Sequence, residues 1–303
     1  MPITRRRLVV ISAALALLPS AGRASRHASK IWTGQALGAR TSIRVDHPDS
    51  AAIAARVVTE IERLENILSL YRPESALARL NRNGYLVDPP FELLECLSIA
   101  GAVNHFSGGR FDPTVQPLWA VWAEAAARGG SPDMQAIARA ISLVGWEKVE
   151  IDPARISLRP GMALTLNGIG QGYVADRVAA LLGAEDLMDI LIETGEFRAL
   201  GGMPNGADWP IHLQAGGLVG LRQRALATSS PLGTTFDAAG RLGHILNPLS
   251  GKPVSTMWRA VSISAPAAAV ADALSTASCL LEDASQVELL VREFPGARLE
   301  LAT

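Results

Sequence analysis

Three alternating glycines, Gly168, Gly170 and Gly172, interrupt the segment ALTLNGIGQGYVADRVAALL. The apolar residues before them, 163–166, predict a strand, and residues 173–182 predict a helix. Glycines between a strand and a helix allow backbone amides to approach an anion at the helix N-terminus, so a phosphate site is one interpretation. The spacing is G-x-G-x-G and departs from the dinucleotide fingerprint G-x-G-x-x-G, so a purely structural turn is the alternative.

The rest of the chain alternates short apolar runs with helical patterns. Apolar residues recur at helical spacing in residues 50–70 and 91–106, and Ser131-Pro132 and Pro266 are predicted to begin two further helices. Strands are predicted at residues 41–45, 190–193, 211–214, 225–228 and 261–264. The combination indicates an α+β fold in which mixed or antiparallel sheets pack with helices. Residues 25–303 contain no linker or repeat and are predicted to form a single domain.

The N-terminus predicts export. Residues 1–24 combine a basic start, an apolar stretch and a small-residue end at Ala24, as in a signal peptide. The sequence TRRRL, residues 4–8, fits the twin-arginine pattern, with an ordinary secretory signal as the alternative. We therefore expect a periplasmic protein. Removal of this segment takes away four arginines and no acid, which changes the formal net charge from −1 to −5 and argues against a nucleic-acid-binding surface.

Zinc and disulfide chemistry are not indicated. The two cysteines, Cys96 and Cys279, lie far apart, and the five histidines show no metal-ligand spacing. No serine nucleophile elbow is present, and the hydroxyl-rich residues 228–230 are interpreted as a solvated strand end.

Asp272 and Thr276 form a possible metal-binding pair in VADALSTASCLL, residues 270–281. On a helix, four-residue spacing places both side chains on one face, with Cβ atoms about 5–6 Å apart. A carboxylate and a hydroxyl are hard oxygen ligands of the kind that Mg²⁺ accepts. An Asp that caps a neighbouring loop and a Thr that bonds back to its own helix would explain the pair equally well.

Three other residues are candidates for binding or catalysis. Tyr71, at a predicted helix end before a proline-containing turn, can present its ring to a planar ligand or lie at the edge of the core. Asp112 precedes a proline and is also explained as a turn residue. His244 stands in the turn-rich stretch GHILNPLSGKP, where an imidazole could serve as a general base.

Taken in order, these stretches resemble the FAD:protein FMN transferase (ApbE-like) family. The resemblance covers about residues 32–281. It rests on Ser69-Leu70-Tyr71 with Ser75, GRFDPT from Gly109, TLNGIGQGY from Thr165, Thr194-Gly195-Glu196, HILNPLSGKP from His244 and ADALSTA from Ala271.

The resemblance implies a role for each candidate residue. Asp272, Thr276 and the backbone carbonyl of Gly168 would bind Mg²⁺, and His244 would be the catalytic base. The residues that fall where the family holds FAD are Leu37, Tyr71, Arg110, Phe111, Asp112, Thr165 and Gln171.

Three positions depart from the family pattern. Thr165 replaces the usual aspartate of the glycine loop, Gln171 the usual lysine or acid, and Asn247 the aspartate before proline in the histidine segment. Each departure removes a charge near the expected FAD, which predicts an altered affinity or rate. The L-N-G-I-x-Q-G-Y form, together with the twin-arginine signal, is similar to the NosX-like branch linked to nitrous oxide reductase maturation.

The resemblance implies Mg²⁺-dependent transfer of FMN from FAD to a threonine or serine of an exported or membrane-anchored protein with an FMN-binding domain, with release of AMP. Two alternatives remain at this point. Water could replace the acceptor hydroxyl, which would make the protein an FAD pyrophosphatase. The protein could also be a flavin-binding maturation factor without catalytic activity.

Overall fold

The computed structural model describes residues 30–45, 47–255 and 258–303. The predicted signal peptide, residues 1–24, lies outside the described residues, so it stays a prediction. Among the residues described, no helix combines the length and the apolar character that crossing a bilayer requires.

Strands and helices are numbered in chain order. The strands are β1 Lys30–Ala36, β2 Ala39–Val45, β3 Tyr85–Val87, β4 Glu150–Asp152, β5 Arg155–Ser157, β6 Ile190–Glu193, β7 Phe197–Leu200, β8 Trp209–His212, β9 Leu218–Leu221, β10 Ala225–Ser229, β11 Val261–Ala265 and β12 Arg298–Ala302. The α-helices are α1 Ser50–Leu68, α2 Ala76–Asn83, α3 Phe91–Phe106, α4 Gln116–Ala127, α5 Met134–Ser142, α6 Gly170–Gly183, α7 Ala268–Ser278 and α8 Ala284–Arg292. Short 3₁₀ helices cover Pro113–Val115 and Trp146–Lys148.

The strands form three antiparallel sheets. The main sheet has seven strands in the order β1-β2-β6-β7-β10-β11-β12, and smaller sheets are formed by β3-β5-β4 and by β8-β9. Because the helices pack with antiparallel sheets, the predicted α+β class is confirmed.

The helices follow the apolar spacing that predicted them. In α1, Ile53, Val57, Ile61 and Leu64 are buried at intervals of three or four residues, so one face of the helix joins the main core. Helix α3 has the predicted bounds. Polar caps decide other ends: the side chain of Asp133 accepts the N–H of Ala136 and begins α5, so the predicted cap at Ser131 is wrong.

Helices α6 and α7 cross very closely at Gly172. A Cβ added to Gly172 would lie 2.3 Å from the carbonyl oxygen of Ala268. Only glycine avoids this overlap. Helix α7, which makes this contact with α6, also packs on β10 and β11 of the main sheet. The third glycine of the run is therefore a packing requirement.

The predicted strand at residues 163–166 is wrong. The backbone of Leu164 bonds to the side-chain amide of Asn81, which donates to its carbonyl and accepts its N–H. The N–H of Thr165 donates to the carbonyl oxygen of Pro113. A side chain and a distant turn thus satisfy this backbone instead of a neighbouring strand. Helix α6 also begins earlier than predicted, at Gly170.

Candidate functional site

The glycine turn before α6 lies against α7 and Phe111. A Cβ added to Gly168 would lie 3.1 Å from Oγ1 of Thr276 and 3.2 Å from Cε2 of Phe111. The turn is closed by the N–H groups of Ile169 and Gly170, which both donate to the carbonyl of Leu166. The structure therefore brings together one predicted flavin contact and two predicted metal ligands, which are 57 to 165 positions apart in sequence.

Asp272 is a buried carboxylate with one backbone donor. It is 4% exposed, and its Oδ2 accepts the N–H of Gly172 at 3.2 Å. Burial outweighs this bond and raises the pKa of Asp272 to about 7. The interpretation of Asp272 as the cap of a neighbouring loop is correct only in part, because the N–H group that it accepts belongs to the first turn of α6.

Glu196 is a second buried carboxylate near Asp272, and its sequence position alone predicted no role for its side chain. It is 7% exposed and accepts the N–H of Thr228 at 3.1 Å. Burial, and then the negative charge of Asp272, raise its pKa well above the usual value. The sequence feature that could have indicated its role is its position in Thr194-Gly195-Glu196, one of the stretches that resemble the family.

The hydroxyl of Ser229 contacts both Ser275 and Thr276 of α7. Oγ of Ser229 lies 2.7 Å from Oγ of Ser275 and 3.2 Å from Oγ1 of Thr276. Ser275 also donates to the carbonyl of Asp272 at 2.9 Å. The interpretation of residues 228–230 as a solvated strand end is therefore wrong for Ser229, whose hydroxyl faces α7 at the end of β10.

Gln171 connects the glycine turn with the turn between β6 and β7. Its carbonyl accepts the hydroxyl of Thr194 at 3.0 Å, and a Cβ on Gly195 would lie 2.6 Å from its Oε1. Gly195 has φ of 99°, where a side chain would be strained as well. Two stretches separated in the sequence, the glycine loop and the Thr194-Gly195-Glu196 turn, thus form one wall of the site.

The two serines of the Tyr71 stretch build the turn that presents this ring. The hydroxyl of Ser69 accepts the N–H of Tyr71 at 3.0 Å and that of Arg72 at 3.2 Å. Ser75 donates to the carbonyl of Ser69 and caps α2 by accepting the N–H of Ala78. Tyr71 is 62% exposed, so the interpretation of its ring as an edge of the core does not hold, and the ring is accessible to a ligand.

Leu37 lies at the tip of the β1–β2 hairpin and contacts the glycine turn. Its Cδ1 is 3.0 Å from the position of a Cβ on Gly170. Its φ of 47° is left-handed, a conformation that leucine rarely adopts. The predicted flavin contact is thus placed over the N-terminus of α6.

Arg110 and Asp112 bond mainly within their own turn. Arg110 donates to the carbonyl of Ser107 at 3.2 Å. Oδ1 of Asp112 accepts both the N–H and the hydroxyl of Thr114, at 2.8 and 2.6 Å, and burial raises the pKa of this carboxyl. Asp112 therefore stabilises a turn, as its position before a proline predicted. Phe111, which lies between Arg110 and Asp112, contacts the glycine turn.

Two of the three departures from the family pattern serve local turns. The hydroxyl of Thr165 accepts the N–H of Asn167 at 3.2 Å. Oδ1 of Asn247 accepts the N–H groups of Leu249 and Ser250 at 2.9 and 3.2 Å. An amide or hydroxyl oxygen fulfils this acceptor role without a charge, so these replacements preserve the backbone of both loops.

His244 is held in a defined orientation beside the end of β10. Its Nδ1 lies 3.0 Å from the carbonyl oxygen of Thr234, and the preceding Gly243 packs on the carbonyl of Pro231. Because a carbonyl only accepts, Nδ1 carries the proton, which leaves the lone pair of a neutral ring on Nε2. Burial lowers the pKa of His244, although the backbone carbonyls of Thr234 and Pro231 both raise it, and the net shift favours this neutral form.

The family is decided by comparison with known proteins. A model of the ApbE family matches residues 37–298. The chain belongs to the ApbE family. Within residues 30–45, 47–255 and 258–303, no group of three or more His, Cys, Asp or Glu side chains could hold a metal ion, so a metal site in this ApbE protein would need other oxygen ligands.

Curated relatives and solved structures agree with this assignment. The FAD:protein FMN transferase of Klebsiella pneumoniae is 26% identical and the alignment covers 95% of this chain and 90% of the relative. That of Treponema pallidum is 29% identical over 81% and 75%. The crystal structure of the apo flavinyl transferase ApbE of Pseudomonas stutzeri superposes with a TM-score of 0.78, at 28% identity over 88% and 89% of the chains. The Thermotoga maritima ApbE protein gives 0.77 at 26% identity over 89% and 93%.

Proposed function

We propose that this ApbE protein transfers FMN from FAD to a hydroxyl group of an acceptor protein and releases AMP. The convergence of Asp272, Thr276 and the Gly168 turn beside Phe111 carries the proposal, because it puts metal-type oxygen ligands next to an apolar surface. The relatives named FAD:protein FMN transferase support the same activity.

The residues present fit a divalent cation. Asp272 and Glu196 are both buried, and burial disfavours their negative charges. A cation between α7 and the glycine turn would compensate this cost. Asp272, Thr276 and the carbonyl of Gly168 would hold Mg²⁺, and bound Mg²⁺ neutralises charge on pyrophosphate oxygens.

The nucleotide would lie along the glycine turn. Leu37 offers a half-buried apolar contact, the buried Phe111 supports the glycine turn from the core side, and Tyr71 offers an exposed ring on which a planar isoalloxazine can stack. Holding the donor in this way supplies the orientation on which phosphoryl-type transfer depends.

The chemical step exchanges one phosphorus–oxygen bond for another. The acceptor hydroxyl oxygen of a threonine or serine attacks the FMN phosphorus, the bond to the AMP oxygen breaks, and AMP leaves with the bonding pair. Nε2 of His244 takes the hydroxyl proton, since Nδ1 is already committed to Thr234. The product carries FMN in a phosphodiester linkage.

The cellular setting is part of the proposal. The signal-like residues 1–24 support export to the periplasm, by a twin-arginine or an ordinary secretory route. The acceptor would then be an exported or membrane-anchored flavoprotein with an FMN-binding domain, and the NosX-like sequence form points to nitrous oxide reductase maturation.

One experiment separates this function from its alternatives. Residues 25–303 are incubated with FAD and Mg²⁺, with and without an FMN-binding domain, and AMP release and the acceptor mass are measured. A covalent FMN adduct that EDTA prevents supports the transferase. AMP without an adduct in every case would identify a pyrophosphatase, and bound but unchanged FAD would identify a flavin-binding factor.

A further inference from the structure

Glu65 bonds to two separate segments from the last turn of α1. Its side chain is 14% exposed. Oε1 accepts the backbone N–H of Leu37 at 2.7 Å, and Oε2 pairs with the guanidinium of Arg72. One carboxylate therefore joins the tip of the β1–β2 hairpin to the turn that follows α1.

The bond to Leu37 supports a hairpin tip whose backbone is unfavourable for leucine. Leu37 and Gly38 form the two-residue connection between β1 and β2, and both have positive φ, 47° and 87°. Such turns favour Asn and Gly, and a leucine in the first position is disfavoured. A charged acceptor at its N–H offsets this cost and keeps the leucine side chain over Gly170.

The pairing with Arg72 fixes the opposite side. Arg72 follows Tyr71 directly, and its guanidinium also donates to Oδ1 of Asn66 at 2.8 Å. Ser69 accepts the N–H groups of both Tyr71 and Arg72, so the two residues share one hydrogen-bonded turn. An anchored Arg72 therefore limits the positions of the exposed Tyr71 ring.

We propose that Glu65 is a positioning residue that sets the spacing between Leu37 and Tyr71 and thereby the affinity and rigidity with which the flavin ring is held. The inference rests on the proposed function, because it places FAD between these two residues. A glutamate suits the role because its two oxygens accept from two directions. Glutamine carries an NH2 group in place of one of the two oxygens, so it cannot accept from Leu37 on one side and from Arg72 on the other.

The test compares Glu65→Ala and Glu65→Gln with the control Glu62→Gln. Glu62 is exposed on the same helix, and its side chain makes no hydrogen bond or ion pair in the described part of the chain. The measurements are the FAD dissociation constant from fluorescence titration, the anisotropy of bound flavin, KM and kcat, and the thermal midpoint. For Glu65→Ala we expect the dissociation constant and KM for FAD to rise about tenfold, the scale of one charge-assisted hydrogen bond.

The other readouts distinguish positioning from plain stabilisation. We expect a lower anisotropy of bound flavin in Glu65→Ala, a smaller change in kcat than in KM, intermediate values for Glu65→Gln, and wild-type values for Glu62→Gln. A lower thermal midpoint with unchanged affinity and anisotropy would overturn the inference.

Failure of this inference can be distinguished from failure of the proposed function. If the wild-type protein binds no FAD, the proposed function fails and this inference fails with it. If the wild-type protein binds FAD and Glu65→Ala does not fold, Glu65→Gln and Arg72→Gln decide. Unchanged affinity and anisotropy in both of these variants would overturn the role of Glu65 and leave the proposed function intact.

Discussion

The carboxylate of Asp272 accepts the backbone N–H of Gly172 at 3.2 Å, across 100 positions of the chain. This bond forms because Gly172 lies so close to α7 that a Cβ would reach within 2.3 Å of the carbonyl oxygen of Ala268. The crossing of α6 and α7 therefore determines where the buried carboxylate lies.

Replacement of Gly172 by alanine should strongly destabilise the protein. The added Cβ meets backbone atoms that cannot rotate away. We therefore expect the free energy of unfolding to fall by about 3 kcal/mol, the upper end of the usual range for overpacking. Urea denaturation measures it. The control is Gly130→Ala, since no atom lies within 4 Å of its added Cβ. Equal stabilities of the two variants would contradict the close crossing.

The Asp272→Asn variant should fold and lose metal-dependent transfer. The amide oxygen still accepts the N–H of Gly172, but the neutral side chain is a weak Mg²⁺ ligand. We expect no Mg²⁺-induced rise in the thermal midpoint and no detectable FMN transfer. Glu288→Gln, at an exposed position of α8, is the matched control. Wild-type transfer by Asp272→Asn would remove this residue from the metal site.

The contribution of Asp272 to the stability of the metal-free protein should fall as the pH rises from about 4 to about 7. An unfolded aspartate loses its proton near pH 4, whereas burial raises the pKa of Asp272 to about 7 in the folded protein. Between these values the folded state retains the proton that the unfolded state has lost, so each rise in pH favours unfolding. The contribution of Asp272 to the free energy of unfolding therefore declines up to about pH 7 and is constant above it.

Chemical denaturation in EDTA at several pH values measures this decline as the difference between the wild type and Asp272→Asn. Because Mg²⁺ binds the charged form, its stabilising effect should be larger at pH 8 than at pH 5.5. A stabilisation by Mg²⁺ that is independent of pH would refute the assignment.

Replacement of His244 by glutamine should reduce kcat about 10²- to 10⁴-fold, the usual contribution of a general base, without weakening FAD binding. Because burial lowers the pKa of His244, its ring stays neutral at pH values where an exposed histidine would already be protonated. At saturating Mg²⁺, which keeps Asp272 charged, the wild-type rate should therefore still be level at about pH 6.5, the ordinary pKa of histidine, and decline only at lower pH. His212→Gln, at an exposed position of β8, is the control. An unchanged rate in His244→Gln would exclude it as the base.

In contrast to the expectation from the sequence that the lost charge alters FAD binding, the turn role of Asn247 leads us to expect that its replacement by aspartate changes FAD affinity less than twofold. Its Oδ1 is occupied by the N–H groups of Leu249 and Ser250, and a carboxylate oxygen would accept the same two bonds. Fluorescence titration with FAD checks this result. A large gain in affinity would show that the charge acts on FAD and that the lost aspartate weakens binding.

The sequence predicted those features that depend on neighbouring residues. The apolar spacing of α1 and α3 is local, and both helices lie where it predicts them. Long-range partners produced the errors. The stretch at residues 163–166 looks like a strand, yet the amide of Asn81 takes the place of a neighbouring strand, and no local pattern shows that exchange.

The same division applies to the candidate site. The sequence alone determined the α+β class, the helix that aligns Asp272 with Thr276, and the family to which the ordered motifs point. Only the tertiary structure decided that Glu196 and Ser229 join them and that Glu65 links Leu37 to Arg72. The reason is physical: a helix fixes the directions of residues four positions apart, whereas contacts between distant segments depend on how closely the backbones can pack, which at this site is set by Gly172.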